Sequence, residues 1–248
     1  MPPGGSWPAH ALTFYEKQLT DGSPDPLYAL TNFAPISFYA DTSLTPVAAT
    51  ATQTSPPNYR YPTSEHYFQA MKFSDLFPVP ASFTAWKGSE RAISVEGQLF
   101  TRADLRARIR AAPAYGLRNK GPVSHPNTGV FTLANSGNGS FKSAIPPDWH
   151  SRRDPSSGEL LKHLIMRKAL LAKFSQNPGA LRVLLATGKR PLIEASPYDP
   201  YWGWGPRKDG KNVLGQMLVE VRTLLGTPPL HGRPPTVYHS RGLRGVSP

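Results

Sequence analysis

The segment Tyr61–Phe73, which reads YPTSEHYFQAMKF, constrains the fold of this chain more than any other. Pro62 followed by Thr63 and Ser64 predicts the start of a helix, because proline makes a rigid turn and the hydroxyls can cap free backbone N–H groups. We therefore expect one helix that runs from this segment to about Leu76.

The polar residues of this helix form a single stripe. Glu65, Gln69 and Lys72 stand at positions i, i+4 and i+7 and therefore share a face, whereas Phe68 and Met71 point toward a core. The stripe has two interpretations. It is either the wall of a polar pocket or a solvated face with an ordinary Glu–Lys interaction within the helix.

A second unusual segment, Leu192–Gly215, combines carboxylates with tryptophan and glycine. Tryptophan offers a flat stacking surface and glycine allows close backbone approach, so the segment suits the wall of a site for a flat, polar ligand. The alternative is a stiff surface loop anchored by buried tryptophans. The polar candidates in this segment are Glu194, Asp199 and Asn212.

Composition limits the classes of function that the chain can have. With 248 residues, 39% of them hydrophobic, the chain can bury a full core as one domain. It contains no apolar run of membrane-spanning length, and its N-terminus lacks the pattern of a signal peptide. The absence of cysteine excludes disulfides and thiolate chemistry, and no HxxxH or HxH pair occurs. We therefore expect no metal, no cofactor and no membrane partner, and an intracellular monomer, cytoplasmic or nuclear.

The charge balance favours a polyanionic partner. The chain has 28 Lys and Arg against 16 Asp and Glu, which gives a net charge of +12 and a pI near 10.0. Such an excess suits nucleic acid or a phosphate-bearing ligand. Part of the excess lies in the last residues, around Arg233, Arg241 and Arg244, where it is also compatible with a merely solubilising tail.

Apolar periodicity predicts a mainly helical chain. The four clearest helices are Arg102–Ala112, Leu160–Phe174, Gly179–Thr187 and Val213–Leu225. The pattern also suggests two short helices, Ala81–Trp86 and Ser89–Ile93.

The remaining segments predict a small β element and two long irregular regions. Strands are expected within Tyr28–Phe38 and around Leu192–Ala195. Residues 41–60 are expected to form a long loop or a hairpin insertion, and Gly121–Pro147 an exposed loop or a β-excursion. We predict an α+β fold, mainly α-helical, as a single domain with a small β element. Its expected boundaries are a flexible N-terminus at 1–11, a domain at 12–226 and a disordered Pro/Arg-rich tail at 227–248.

A set of motifs in a fixed order resembles the NADAR domain family (NAD- and ADP-ribose-associated). The similarity extends over nearly all of residues 14–225. The matching segments are FY at 14–15, LTNFAP at 30–35, YPTSEHYFQAMKF at 61–73, DW at 148–149, MRKALLAKFSQNP at 166–178, LLATGKRPLIEASPYDPYWGWG at 184–205 and GKNVLGQMLVEVR at 210–222.

The resemblance implies an N-glycosyl hydrolase that acts on ribosides joined to an amino group. Two activities are associated with the family: removal of ADP-ribose from the amino group of guanine in nucleic acid, and cleavage of early riboflavin intermediates. We expect the first, with ADP-ribosylated nucleic acid or an ADP-ribose-like nucleotide as partner, because a small metabolite does not need a broad basic surface. The alternatives are the riboflavin-intermediate N-glycosidase and a non-catalytic ADP-ribose-binding module.

The resemblance also assigns roles to residues. Glu65 is the leading catalytic carboxylate, Asp199 is its acidic partner, and Lys72 is a further catalytic candidate. A carboxylate near C1 of the ribose can stabilise the developing positive charge or activate water, whereas a lysine can attack the ring-opened sugar as a Schiff base. The predicted substrate-binding residues are Asn32, Phe33, Gln69, Arg118, Trp149, Glu194, Trp202 and Gly203.

Two insertions depart from the family pattern. Only Gly116–Arg118 approximates the compact Gly-Arg element of the family, and residues 119–147 separate it from the DW motif. The stretch 41–60 is also longer than the family pattern. Both insertions are candidates for setting substrate preference.

Overall fold

The computed structural model describes residues 7–15, 17–19, 21–45, 58–114, 128–135 and 139–226. Arg118, the tail at 227–248 and most of the 41–60 insertion lie outside these residues, as do the first six residues of the predicted flexible N-terminus. The described residues group into two compact units. The first lies within Met1–Ala40, Val47–Ser64 and Leu170–Pro228, and the second within Asp41–Pro46 and Glu65–Ala169.

The first unit joins distant parts of the chain through two small sheets. The elements of this unit are β1 (Leu12–Phe14), a 3-10 helix (Pro26–Leu30), β2 (Phe38–Ala40), β3 (Tyr59–Tyr61), α5 (Pro178–Ala186), β7 (Leu192–Glu194) and α6 (Val213–Gly226). Strand β1 pairs in parallel with β7, so that Leu12 lies opposite Leu192 and Phe14 opposite Glu194. Strand β2 pairs antiparallel with β3, with Phe38 opposite Tyr61.

The second unit combines helices with a three-stranded antiparallel sheet. Its elements are α1 (Ser64–Ala70), a 3-10 helix (Met71–Phe73), β4 (Ala85–Lys87), β5 (Glu90–Val95), β6 (Gln98–Thr101), α2 (Arg102–Ala111), α3 (Val130–Ala134) and a 3-10 helix (Lys142–Ala144). The strands of the sheet lie in the order β4-β5-β6. Helix α2 follows β6 directly and begins with a capping box, in which the side chains of Thr101 and Asp104 each accept the backbone N–H of the other residue.

Helix α4 (Leu161–Gln176) supplies residues to both units, because the division falls after Ala169. Three of its lysines, Lys162, Lys168 and Lys173, are buried. A buried ammonium group is costly unless it is paired. In the second unit Lys168 forms an ion pair with Asp41 and donates to the Ser43 carbonyl at 2.9 Å, which ties the base of the 41–60 insertion to α4.

Most sequence-predicted elements are confirmed. The motif helix forms as α1 and continues as the 3-10 turn, so that it ends at Phe73 rather than at Leu76. The four periodic helices form as α2, α4, α5 and α6, and the strand predicted near Leu192 forms as β7. The α+β class, mainly helical with small sheets, is confirmed.

The two short helices predicted at Ala81–Trp86 and Ser89–Ile93 are wrong. The chain instead forms the β4-β5-β6 meander, in which Trp86 lies opposite Arg91. Tight turns decide this outcome, because Gly88, Glu96 and Gly97 all have positive φ, which suits hairpin turns and breaks a helix.

Two further expectations need correction. The region predicted to begin as a strand at Tyr28 starts as a 3-10 helix, whose first turn is capped by Asp25 through Leu27 N at 2.8 Å. The described part of Gly121–Pro147 is not an exposed loop, since it contains α3 with Val130 and Leu133 fully buried. Within the described ranges, no helix combines the length and apolar character needed to cross a membrane.

Candidate active site

Helix α1 and the turn after it hold a buried polar group in the second unit. We call Glu65, Gln69 and Lys72 the Glu65 cluster; their exposed fractions are 6%, 3% and 4%. Gln69 Nε2 donates to Glu65 Oε1 at 2.6 Å, as the i, i+4 spacing predicts. The interpretation of this stripe as a solvated face is therefore wrong, because the three side chains are buried. The alternative interpretation, the wall of a polar pocket, stays a prediction.

Lys72 is the cation of this cluster. Its Nζ donates to the Ala134 carbonyl at 2.7 Å. Burial lowers the pKa of Lys72 to about 8, and the negative charge of Glu65 offsets part of that effect. About a tenth of Lys72 is therefore a neutral amine at about pH 7, far more than for an exposed lysine, and this is the form in which lysine acts as a nucleophile or base.

Trp149 closes one side of the Glu65 cluster. Its ring centroid lies 5.3 Å from Lys72 Nζ and also 5.3 Å from each of the Phe68 and Phe77 rings. With 2% of its surface exposed, Trp149 is part of the aromatic core that keeps water from Lys72. Its assignment as a stacking surface for substrate stays a prediction.

Sequence reasoning missed two basic groups of the second unit, His150 and Lys162. Lys162 on α4 is buried. Burial, followed by the positive charges of Lys162 and Lys72, lowers the pKa of His150, so His150 lies within electrostatic reach of both lysines. Two features of the sequence could have pointed to these groups. His150 directly follows the DW motif, and Lys162 stands in the first turn of an otherwise apolar helix.

A second buried lysine near a buried carboxylate lies in the first unit. Lys173 on α4 is completely buried and its Nζ donates to the Thr31 carbonyl at 2.8 Å. Burial lowers the pKa of Lys173 to about 7, and the negative charge of the buried Glu194 opposes this shift. The Lys173 amine therefore fixes the backbone of Thr31, the residue before Asn32, and lies close enough to Glu194 to feel its negative charge.

Asn32 and Phe33, which the resemblance assigns to the substrate, follow Thr31 directly. Asn32 is buried, and among the described residues its Oδ1 has no hydrogen-bond partner. The Phe33 carbonyl accepts from the Tyr28 hydroxyl at 3.3 Å, which fixes the turn. The Asn32 Oδ1, a buried acceptor without a donor among the described residues, is suited to a ligand hydroxyl or amine.

The Asp199 carboxylate organises the loop that follows β7. Its Oδ1 accepts the backbone N–H of Tyr201 at 2.8 Å and of Trp202 at 2.9 Å. A side chain at Gly203 would meet the Glu194 carbonyl, since an added Cβ would lie 2.6 Å from that oxygen. Glycine at this position therefore allows the loop to pack directly on β7.

The predicted residues therefore fall into two groups. The second unit contains Glu65, Gln69, Lys72 and Trp149, and the first contains Asn32, Phe33, Glu194, Asp199, Trp202 and Gly203. Within the described part of the chain, His, Asp and Glu side chains form no group of three or more that could hold a metal ion.

The two buried lysines make stability depend on pH. The unfolded chain keeps these protons up to about pH 10.5, whereas the folded chain releases them near 8 for Lys72 and near 7 for Lys173. Between pH 7 and 10.5 the unfolded state therefore binds more protons, and the free energy of unfolding rises with pH. We expect up to about 1 kcal/mol per pH unit for each lysine, measured by urea denaturation between about pH 7 and about pH 9.

The matched control for this measurement is the double variant Lys173→Met/Glu194→Gln, in which one titrating lysine is absent and the slope should be smaller. A slope of zero, or a fall in stability with pH, would contradict the placement of these lysines as buried bases.

Comparison with known proteins gives consistent similarities. The NADAR domain model matches residues 151–226. The N-glycosidase YbiA of Escherichia coli is 32% identical over 165 residues, which covers 66% of this chain and 71% of YbiA. The riboflavin biosynthesis protein PYRR of Zea mays is 30% identical over 172 residues, 69% of this chain but only 21% of the maize protein.

One solved structure is also similar. The NMR structure of YbiA is 26% identical in sequence and matches 87% of this chain and 84% of its own, with a TM-score of 0.48.

Proposed function

This chain belongs to the NADAR domain family, and from that premise we propose that it is an N-glycosidase that removes ADP-ribose from the amino group of guanine in nucleic acid. The observation that carries the chemical part of the proposal is the buried Glu65 cluster. A carboxylate, an amide and a lysine of lowered pKa stand together there, shielded from water by Trp149. Perturbed titratable groups clustered in this way are typical of catalytic sites.

The first catalytic route is direct hydrolysis. Cleavage of the bond between C1 of the ribose and the guanine nitrogen leaves positive charge on the sugar, which the Glu65 carboxylate stabilises. Glu65 also takes a proton from the attacking water, while a protonated group returns a proton to the departing amine. Gln69, whose Oε1 has no hydrogen-bond partner among the described residues, can accept a hydrogen bond from a ribose hydroxyl.

The second route uses Lys72 as the nucleophile. When the ribose ring opens, C1 forms an imine with the guanine nitrogen; the Lys72 amine adds to C1 and guanine leaves with its amino group. Water then hydrolyses the lysine imine and regenerates the amine. The lowered pKa of Lys72 supports this route, because only the neutral amine attacks.

The charge distribution supports a nucleic acid over a small metabolite. Among the described residues, five basic and two acidic side chains are buried, which removes three of the twelve net positive charges and leaves nine for the rest of the chain. An excess of that size suits a polyanion. The name of the maize relative favours the second candidate, a riboflavin intermediate, which needs no such surface.

Turnover of defined substrates tests the proposal. We expect the protein to release free ADP-ribose from an oligonucleotide that carries ADP-ribose on guanine, and to act at least about 100-fold more slowly on early riboflavin intermediates. The reverse preference would instead identify the protein as an N-glycosidase of riboflavin intermediates. If neither substrate reacts but ADP-ribose raises the melting temperature, the chain is a binding module without turnover.

The same reactions separate the two routes. Borohydride reduces an imine to a stable secondary amine, so the Schiff-base route predicts a covalent ADP-ribose adduct on Lys72, detectable by mass spectrometry and absent in Lys72→Met. Turnover without any trapped adduct would favour direct hydrolysis. The pairing of Glu65 with Asp199 and the binding roles of the remaining predicted residues stay predictions.

A further inference from the structure

The loop after β7 is rigid even though it lies partly at the surface of the first unit. Its backbone is tied to itself and to β7 through Trp204 N to the Glu194 carbonyl at 3.0 Å and Lys211 N to the Pro200 carbonyl at 2.7 Å. Gly205, at φ +67, packs so closely on Pro200 that an added Cβ would lie 2.7 Å from the proline Cβ. The backbone of this loop is therefore held in one conformation.

Two cations of the loop are held over aromatic rings. Lys208 Nζ lies 4.9 Å from the centroid of Trp204, and Lys211 Nζ lies 5.2 Å from that of Tyr201. Trp7 reinforces the arrangement, because its Nε1 donates to the Lys208 carbonyl at 2.8 Å. Cation–π contacts reduce the side-chain freedom that a lysine must lose on binding a phosphate.

Tyr198 gives the loop a free aromatic face. It is 78% exposed, the largest exposed fraction among the big hydrophobic side chains of the described residues. An exposed tyrosine on the same loop as cations held over aromatic rings is a combination with which proteins bind single-stranded nucleic acid, in which bases stack on rings and phosphates contact Lys or Arg.

We propose that Tyr198, Arg207, Lys208 and Lys211, here called the Tyr198 surface, dock a single-stranded stretch of nucleic acid next to the modified base. The proposal rests on the proposed function only in that the same strand carries the target guanine. It assigns a partner surface outside the predicted catalytic residues.

The charges on this surface favour a polyanion over a protein. Arg207 and Lys208 are exposed, and the acidic residues of the loop are Asp209 and Asp199. Asp209 pairs with Arg207 at 3.3 Å, and Asp199 is engaged by backbone N–H groups. The three basic residues of the loop outnumber its two acidic residues and leave a net charge of +1. Among the described residues, Lys208 and Lys211 are the cations of the loop that form no ion pair.

The test is binding of an unmodified single-stranded oligonucleotide to the full chain, followed by fluorescence anisotropy. Tyr198→Ala should weaken binding about 5-fold or more, the lower end of what a base–aromatic stack contributes. The double variant Lys208→Gln/Lys211→Gln should reduce the slope of log affinity against log salt by about 1.4, since each lost phosphate contact on a single strand contributes about 0.7.

An abasic strand of equal length separates stacking from charge. Tyr198→Ala should leave binding of the abasic strand unchanged, whereas the lysine variant should weaken binding of both strands. The matched controls are Tyr59→Ala and Lys189→Gln, which change an exposed tyrosine and an exposed lysine elsewhere in the first unit.

Three results would overturn the proposal: no binding of the oligonucleotide at low salt, equal losses in the controls, or an acidic peptide that binds this surface as tightly as the strand does. Because the oligonucleotide is unmodified, failure of the proposed function leaves this test intact. A protein that cannot cleave ADP-ribosylated guanine would still show the predicted losses if the Tyr198 surface binds strands.

Discussion

Glu65→Gln is expected to lower turnover about 100-fold or more, the usual range for loss of a general acid or base. The substitution keeps the shape of the side chain and leaves an amide oxygen that can still accept the hydrogen bond from Gln69 Nε2. It removes only the charge, which stabilises the sugar in direct hydrolysis, so the loss is expected for that route. In the Schiff-base route the same change lowers the pKa of Lys72 further and leaves more of the neutral amine, so a much smaller loss would favour that route. Turnover of the ADP-ribosylated oligonucleotide measures the effect.

The control for this experiment is Glu220→Gln, which changes an exposed glutamate on α6 and should leave turnover unchanged. Thermal melting of the Glu65 variant shows whether it is folded, and its affinity for ADP-ribose shows whether binding survives. Near-wild-type turnover in a folded Glu65→Gln protein would remove Glu65 from the mechanism.

At about pH 6, where Lys173 is mostly protonated, Lys173→Met is expected to lower the free energy of unfolding by about 3 kcal/mol, the lower end of the range for removing one member of a buried pair of charges. The substitution leaves the buried Glu194 carboxylate without the positive charge of Lys173 and deletes the hydrogen bond to the Thr31 carbonyl. Urea denaturation of the single variant against wild type measures this loss.

A double variant distinguishes the ion pair from simple packing. Lys173→Met/Glu194→Gln removes both charges and should recover a large part of the lost stability, because no uncompensated carboxylate remains. Lys189→Met, at an exposed lysine, should change stability by less than about 0.5 kcal/mol. If the single and double variants are equally unstable, the loss of stability in Lys173→Met does not come from an uncompensated Glu194 carboxylate.

Local sequence patterns predicted the helices well because a helix depends on neighbours three and four residues apart. The boundaries of α2, α4, α5 and α6 differ from the predicted ones by no more than two residues. The same reasoning failed for β4 and β5, whose identity depends on pairing between strands and on turns at Gly88 and Glu96–Gly97. The turn residues were available as a signal, since glycine in this context disfavours a helix.

The candidate site was predictable in part. The i, i+4, i+7 spacing placed Glu65, Gln69 and Lys72 on one face, and the hydrogen bond between Gln69 and Glu65 confirms that geometry. Lys162, Lys173 and His150 were missed, because a lysine in an apolar helix looks the same in sequence whether its amine reaches solvent or a buried carbonyl. Its destination depends on residues that are distant along the chain.

The sequence by itself therefore determined the helical segments, the polar stripe on α1 and the order of motifs that identifies the family. Tertiary structure alone decided which of those polar groups are buried and which of them interact electrostatically. Burial changes the meaning of the Glu65 stripe, since the same residues that would be an inert solvated face become, away from water, a carboxylate beside a lysine of lowered pKa. Desolvation is the cause, and it arises only when α1, α3 and the DW segment pack together.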